Sequence, residues 1–129
     1  MDRIAFEETL DKYRNIFPVV AILGASFEEY IVENICTHFS TWEAYYYRDS
    51  NQTKVDLILI KGATRIAIEI KHSTRNALNK GSKNVLNTLR PEHTYIIIPS
   101  SPELRTLQKS FGSLHIGSLS LVVAHIENI

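Results

Sequence analysis

Three side chains of this 129-residue chain sit in surroundings that do not suit them. Asp56 interrupts the run Val55-Asp56-Leu57-Ile58-Leu59-Ile60, and Glu69 and Lys71 interrupt Ile66-Ala67-Ile68-Glu69-Ile70-Lys71. Runs that are apolar at nearly every position are the pattern of strands covered on both faces. A carboxylate placed in such a strand loses its hydration, which costs several kcal/mol unless something compensates. Gly62-Ala63 between the runs fits a two-residue hairpin loop with glycine first, as a type II′ turn prefers. Lys61 then pairs with Thr64, Asp56 falls opposite Glu69, and Lys71 shares the face of Glu69. Opposed side chains on a hairpin have Cβ atoms about 5 Å apart, so the two carboxylates repel. A divalent cation would relieve both the desolvation and the repulsion, because Mg²⁺ favours one or two carboxylates, retained waters and phosphate oxygens. The same residue types also allow a buried ion pair, with Lys71 neutralising one acid.

The rest of the composition sets the frame. The length fits one domain over residues 1–129, with an N-terminal helix and bridge over 1–22 and a core over 23–129. Cys36 is the only cysteine, so no internal disulfide forms, which suits a reducing compartment. No apolar run approaches the ~20 residues of a membrane span, and Met1-Asp2-Arg3 does not lead into a signal-peptide stretch. These features predict a soluble, cytoplasmic protein. Net charge is zero but unevenly placed: residues 48–90 hold nine Lys or Arg against three acids, and none of the acids lies between Lys71 and Arg90. A neutral protein can thus present one positive face where a phosphate backbone would bind, although a solvated helix face gives the same count.

Hydrophobic spacing predicts the elements that position these residues. Phe6, Leu10, Tyr13 and Phe17 line one face of a helix that Pro18 should end. Phe27, Ile31, Ile35 and Phe39 mark a second helix from Ser26, with Ser26 and Glu29 as a capping box; a start nearer Gly24 also fits. Residues 44–48 read as a strand, followed by a turn at 49–51 and the hairpin. A helix over 76–89, delayed or broken by Gly81, precedes Pro91 and an apolar strand over 95–98. Residues 102–110 read as a short helix entered through Pro102, and residues 118–125 as a last strand. The alternation predicts an α/β domain with a mixed central sheet.

Asp56 followed by Ile68-Glu69-Ile70-Lys71 resembles the D…(D/E)xK signature of the PD-(D/E)XK nuclease superfamily, with Val55 where the nominal motif has proline. Together with residues 24–31, Tyr47-Arg48-Asp49 and His72-Ser73, the motif looks like the nuclease-like domain found C-terminal to certain prokaryotic AAA-type ATPases. Lys54 stands where that pattern usually has an acid. The resemblance implies a restriction-endonuclease-like mixed central β-sheet flanked by helices. It implies Mg²⁺ or Mn²⁺ held by Asp56, Glu69, the Ile70 carbonyl and the helix acid Glu28, with Lys71 acting on the attacked phosphate. It further implies nucleic acid as substrate, DNA ahead of RNA, an AAA-type ATPase as partner, and pairing of two copies. No Gly-x-x-x-x-Gly-Lys-Ser/Thr string is present, so the chain carries no P-loop of its own.

Arg48, Lys54, His72, Arg75, Lys80 and Lys83 are the candidates for contact with the nucleic-acid backbone, and Tyr45, Tyr46 and Tyr47 either stack on bases or pack as strand residues. His38, His72, His93, His115 and His125 show no metal-ligand spacing. Two other classes stay open: a nucleic-acid-binding or docking module that keeps the fold without cutting, and a structural domain whose acids form ion pairs.

Overall fold

The computed structural model describes residues 24–48, 53–71 and 78–129. The two apolar runs form its centre, as strands β2 (Lys54–Lys61) and β3 (Thr64–Ile70). Their register is the one the turn dictates, from Lys61 opposite Thr64 to Leu57 opposite Ile68. Gly62 has φ of 61°, and among the described non-glycine residues only Arg90 has a positive φ. One positive φ at the first loop position is the type II′ signature. Strand β1 (Glu43–Arg48) pairs antiparallel with β2, with an irregularity between Tyr45 and Tyr47. Tyr45 and Tyr46 are exposed, while Tyr47 packs on the core.

Strands β4 (His93–Ile97), β5 (Arg105–Lys109) and β6 (Gly112–Gly117) complete a six-stranded mixed sheet in the order β1-β2-β3-β4-β6-β5. β4 runs parallel to β3 and β6, and β5 returns antiparallel on the far edge. The sheet is covered on both faces. On one face, Ile66, Ile68 and Ile70 of β3 pack with Tyr95, Ile97 and helix α1 (Gly24–His38) through Ile31, Val32 and Ile35. On the other face, Ala67, Ile96, Leu114 and Ile116 pack with helix α2 (Lys80–Leu89) through Val85 and Leu86.

Local chemistry sets the helix ends. α1 begins at Gly24, so Ser26 lies inside the first turn and cannot be an N-cap; the Ser26–Glu29 capping box is thereby corrected. α2 starts late, at Lys80, because Asn79 caps it by accepting from the Ser82 N–H at 2.7 Å. It ends where Arg90 turns left-handed and its N–H donates to the Leu86 carbonyl at 2.9 Å. The expected helix over residues 3–17, the bridge before Gly24, the turn at 49–51, the start of the helix expected over 76–89, and the candidate contacts His72 and Arg75 lie outside the described residues.

The C-terminal third differs from expectation in two places. Residues 102–110 supply the edge strand β5, not a helix: Thr106, Gln108 and Lys109 are exposed and Leu107 turns inward onto the core. Residues 118–125 belong to helix α3 (Leu119–Glu127), not to a strand. The adjacent valines Val122 and Val123 favour strand by local propensity, but Leu119, Val122, Val123 and Ile126 fall at helical spacing and pack on the sheet. The final strand is β6, whose Ser-Leu-His-Ile segment carries only a weak strand signal. Ile126→Ala is expected to cost about 2–4 kcal/mol in a denaturant melt, since this buried side chain anchors α3.

Between α3 and the sheet, three of the five histidines meet. The His93 Nδ1 and His115 Nε2 atoms lie 2.9 Å apart, and His115 Nδ1 lies 2.9 Å from the Thr106 hydroxyl. The Tyr95 hydroxyl, held protonated by burial, lies 2.6 Å from His125 Nδ1, within hydrogen-bond distance. Burial, followed by the neighbouring His125 and His93, pushes His115 down to about 4. His93 is lowered by burial and by His125, with Glu92 opposing. Among the described residues no three His, Cys or acidic side chains form a metal site; the histidines are joined instead by these hydrogen-bond contacts. Depressed histidines bind protons in the unfolded chain before the folded one, so they lower stability as pH falls from about 6.5 towards 4. A His115→Phe variant should therefore show a flatter pH dependence of its unfolding midpoint over that range than the wild type.

Candidate functional site

The ladder between β2 and β3 stops at Leu57 opposite Ile68, and the acids occupy the next position. There the carboxylates replace the backbone pairing. The Asp56 N–H donates to Glu69 Oε1 at 3.1 Å, and the Ile70 N–H donates to Asp56 Oδ2 at 2.8 Å. Each acid thus takes an amide from the opposite strand, which fixes both side chains without a counterion. Asp56 and Glu69 are 8% and 4% exposed, which makes them the only buried acids among the described residues.

The remaining valences are filled unevenly. Glu69 Oε2 faces the Lys71 ammonium at 3.7 Å. Asp56 Oδ1 is buried and accepts no hydrogen bond; the Lys54 ammonium lies 3.4 Å away. Lys54 also lies 3.7 Å from Glu28 Oε2, bringing the α1 acid to the site. Glu28 is pushed up to about 7 by burial, then by the charge of Asp56 and a hydrogen bond with it, against the pull of Lys54. Glu69 is likewise pushed up to about 7, by burial and then by Asp56, with Lys71 opposing. The Lys54 pKa is raised: burial works against its charge, but Asp56 and Glu28 outweigh it.

Three carboxylates therefore meet two ammonium groups. Fully ionised, the cluster carries one net negative charge, with Asp56 and Glu69 buried and the other three groups partly exposed. A divalent cation with one phosphodiester would return that sum to zero. The orphaned Asp56 Oδ1 and the all-oxygen donor set of Asp56, Glu69 and Glu28 suit a hard cation such as Mg²⁺ or Mn²⁺. Even so, no three ligating side chains among the described residues converge on one point, because Lys54 stands between Glu28 and Asp56. Lys54, a candidate for the nucleic-acid path, has its ammonium beside Glu28 and Asp56.

The structure brings Asp56, Glu69, Ile70, Lys71 and Glu28 together at one end of the sheet, Ile70 through its N–H. Arg48 pairs with Lys54 across β1 and β2, and Lys80 and Lys83 are exposed on α2. Two further cations were missed. Arg105 and Lys109 on β5 flank Lys83 around one cavity, and reading 102–110 as a helix had hidden their alternation.

A family model described as a domain of unknown function (DUF4143) matches residues 23–117, from the start of α1 to the end of β6. No curated protein matches the chain.

Proposed function

Because the chain belongs to the family described as a domain of unknown function (DUF4143), its activity has to be read from its own residues, and we propose that it hydrolyses phosphodiester bonds of nucleic acid in a metal-dependent reaction. The buried carboxylate pair carries this reading. No packing need explains two acids at the open end of a hairpin that is otherwise apolar, and Asp56 Oδ1 accepts no hydrogen bond and meets only the Lys54 ammonium, a partner that a metal ion could replace. Asp56 and Glu69, with Glu28 and the Ile70 carbonyl, would hold Mg²⁺ or Mn²⁺. When bound, the metal supplies a polarised phosphoryl group and a water of lowered pKa.

The chain's own residues do the rest. Lys71, beside Glu69, offers its ammonium to the charge that develops on the phosphoryl oxygens. The Asp56 and Ile70 amide bonds hold the carboxylates rigidly, so little reorganisation accompanies the reaction. The PD-(D/E)XK assignment, its restriction-endonuclease-like fold, DNA as the favoured substrate, a cytoplasmic setting, pairing of two copies and work beside an AAA-type ATPase all belong to this proposal. Helices on both faces of a mixed sheet, with the acids at one end of its inner strands β2 and β3, support it. No helix among the described residues is long and apolar enough to cross a membrane.

Lys54 favours a second reading. With its ammonium on Asp56 and Glu28, the domain could bind nucleic acid, or dock on an ATPase, without cutting. Cleavage of circular, linear and single-stranded DNA, and of RNA, with and without Mn²⁺, separates the two. Metal-dependent products support the nuclease; a folded protein that cuts none of them leaves the non-cleaving module. Lys54→Ala is expected to tighten Mg²⁺ binding about tenfold, because it removes a competing cation from the ligands. An unchanged affinity in a calorimetric titration would contradict that role.

A further inference from the structure

A cavity of about 210 Å³ opens beside α2 on the outer half of the sheet. Its floor is apolar, built from Leu107, Phe111 and Leu114, and its rim carries Lys83, Arg105 and Lys109. No carboxylate lines it. Among the described residues none of these three cations enters an ion pair, so their charge faces solvent. The volume is below the ~300 Å³ of a drug-sized site and suits one ring or one nucleotide unit.

Its position relative to the acids follows from the register. Ile70 of β3, Ile97 of β4 and Gly117 of β6 are level with one another, and Arg105 of β5 is opposite Ile116. Arg105 therefore stands at the same end of the sheet as Glu69. Three strand spacings separate β3 from β5, roughly 14 Å. Side-chain alternation puts Glu69 and Lys71 on the face of Ala67, which is also the face of Leu107 and Leu114.

We propose that this cavity is a subsite for single-stranded nucleic acid, taking one base on its apolar floor and the adjoining phosphates on Lys83, Arg105 and Lys109. A lone phosphate would not use the floor, and a duplex keeps its bases stacked inside. An unpaired base offers an apolar face to such a floor while the backbone meets the cations. The inference deepens the proposed function and rests on nucleic acid being its substrate class.

The test is binding of a fluorescein-labelled 12-nucleotide single-stranded DNA, followed by anisotropy in EDTA so that no cleavage intervenes. Removing all three cations in Lys83→Ala/Arg105→Ala/Lys109→Ala should weaken binding at least thirtyfold. It should also flatten the dependence of log affinity on log salt by about 2, since each phosphate contact on a single strand contributes about 0.7. Leu107→Ala, which strips part of the apolar floor, should weaken binding about tenfold at a temperature where a melt shows the variant still folded. A 12-base-pair duplex should bind less tightly than the single strand. Triple-variant binding equal to wild type with the same salt slope would overturn the proposal, as would a duplex bound equally well through the same cations. Because these readings need no metal, a wild type that binds in this way but never cuts would refute the nuclease and leave the subsite standing. A wild type that cuts, with binding indifferent to the cavity, would do the reverse.

Discussion

Replacing Lys71 by alanine is expected to slow metal-dependent cleavage by about 10²–10³-fold, the usual effect of deleting one group that stabilises transition-state charge. Mg²⁺ binding should survive, because Lys71 is not a ligand: its ammonium contacts Glu69 Oε2 at 3.7 Å, and its departure leaves both carboxylates in place. With the ammonium gone, Glu69 loses the charge that opposes its upward shift, so metal affinity near pH 7 should become more dependent on pH. Turnover on a short DNA, measured beside a calorimetric Mg²⁺ titration, separates the effects. Loss of both together would mean that Lys71 holds the site up instead of acting in it.

Glu69→Gln is expected to stabilise the metal-free protein by about 2 kcal/mol at pH 8 while abolishing cleavage. Glutamine can still accept the Asp56 N–H, so the geometry of the pair is kept. What it removes is the desolvated charge. A carboxyl whose folded pKa is raised, from the ordinary 4.5 to about 7, takes up protons in the folded state that the unfolded chain has already lost. Wild-type stability from this group therefore falls as pH rises from 4.5 to 7. The gain in the variant should be absent near pH 4 and complete above pH 7. Added Mg²⁺ should raise the wild-type melting temperature and leave the variant unmoved. A destabilised Glu69→Gln would show that Glu69 serves packing, and the functional reading would lose its main support.

The hairpin and its acids were legible in the sequence because two constraints coincided there. A glycine-first loop fixes the register, and each apolar strand carries a single carboxylate whose place in it is set by that register. That gave Leu57 opposite Ile68 without coordinates. The C-terminal third was harder for a physical reason. Val122 and Val123 favour strand locally, yet the buried spacing of Leu119, Val122, Val123 and Ile126 is helical, and packing on the sheet decides. Edge strand β5 has one inward side chain, Leu107, and so almost no periodic signal. The same error concealed Arg105 and Lys109 as partners of Lys83. The histidine network escaped notice because His93, His115 and His125 come from three different elements, and only the parallel pairing of β4 with β6 brings the first two together. Lys54 was visible as a departure from the nuclease-like pattern, but its contact with Glu28 depends on where α1 packs against the sheet.

In the proposed reaction the Asp56–Glu69 pair holds the divalent cation with which nucleic acid is cleaved. The most direct test titrates Mg²⁺ and Mn²⁺ calorimetrically into the wild type and Asp56→Ala, and assays the same samples on plasmid and single-stranded DNA. Binding in the wild type is expected to disappear in Asp56→Ala, with cleavage only where metal binds. Equal binding by both proteins, or no binding by a folded wild type, would contradict it.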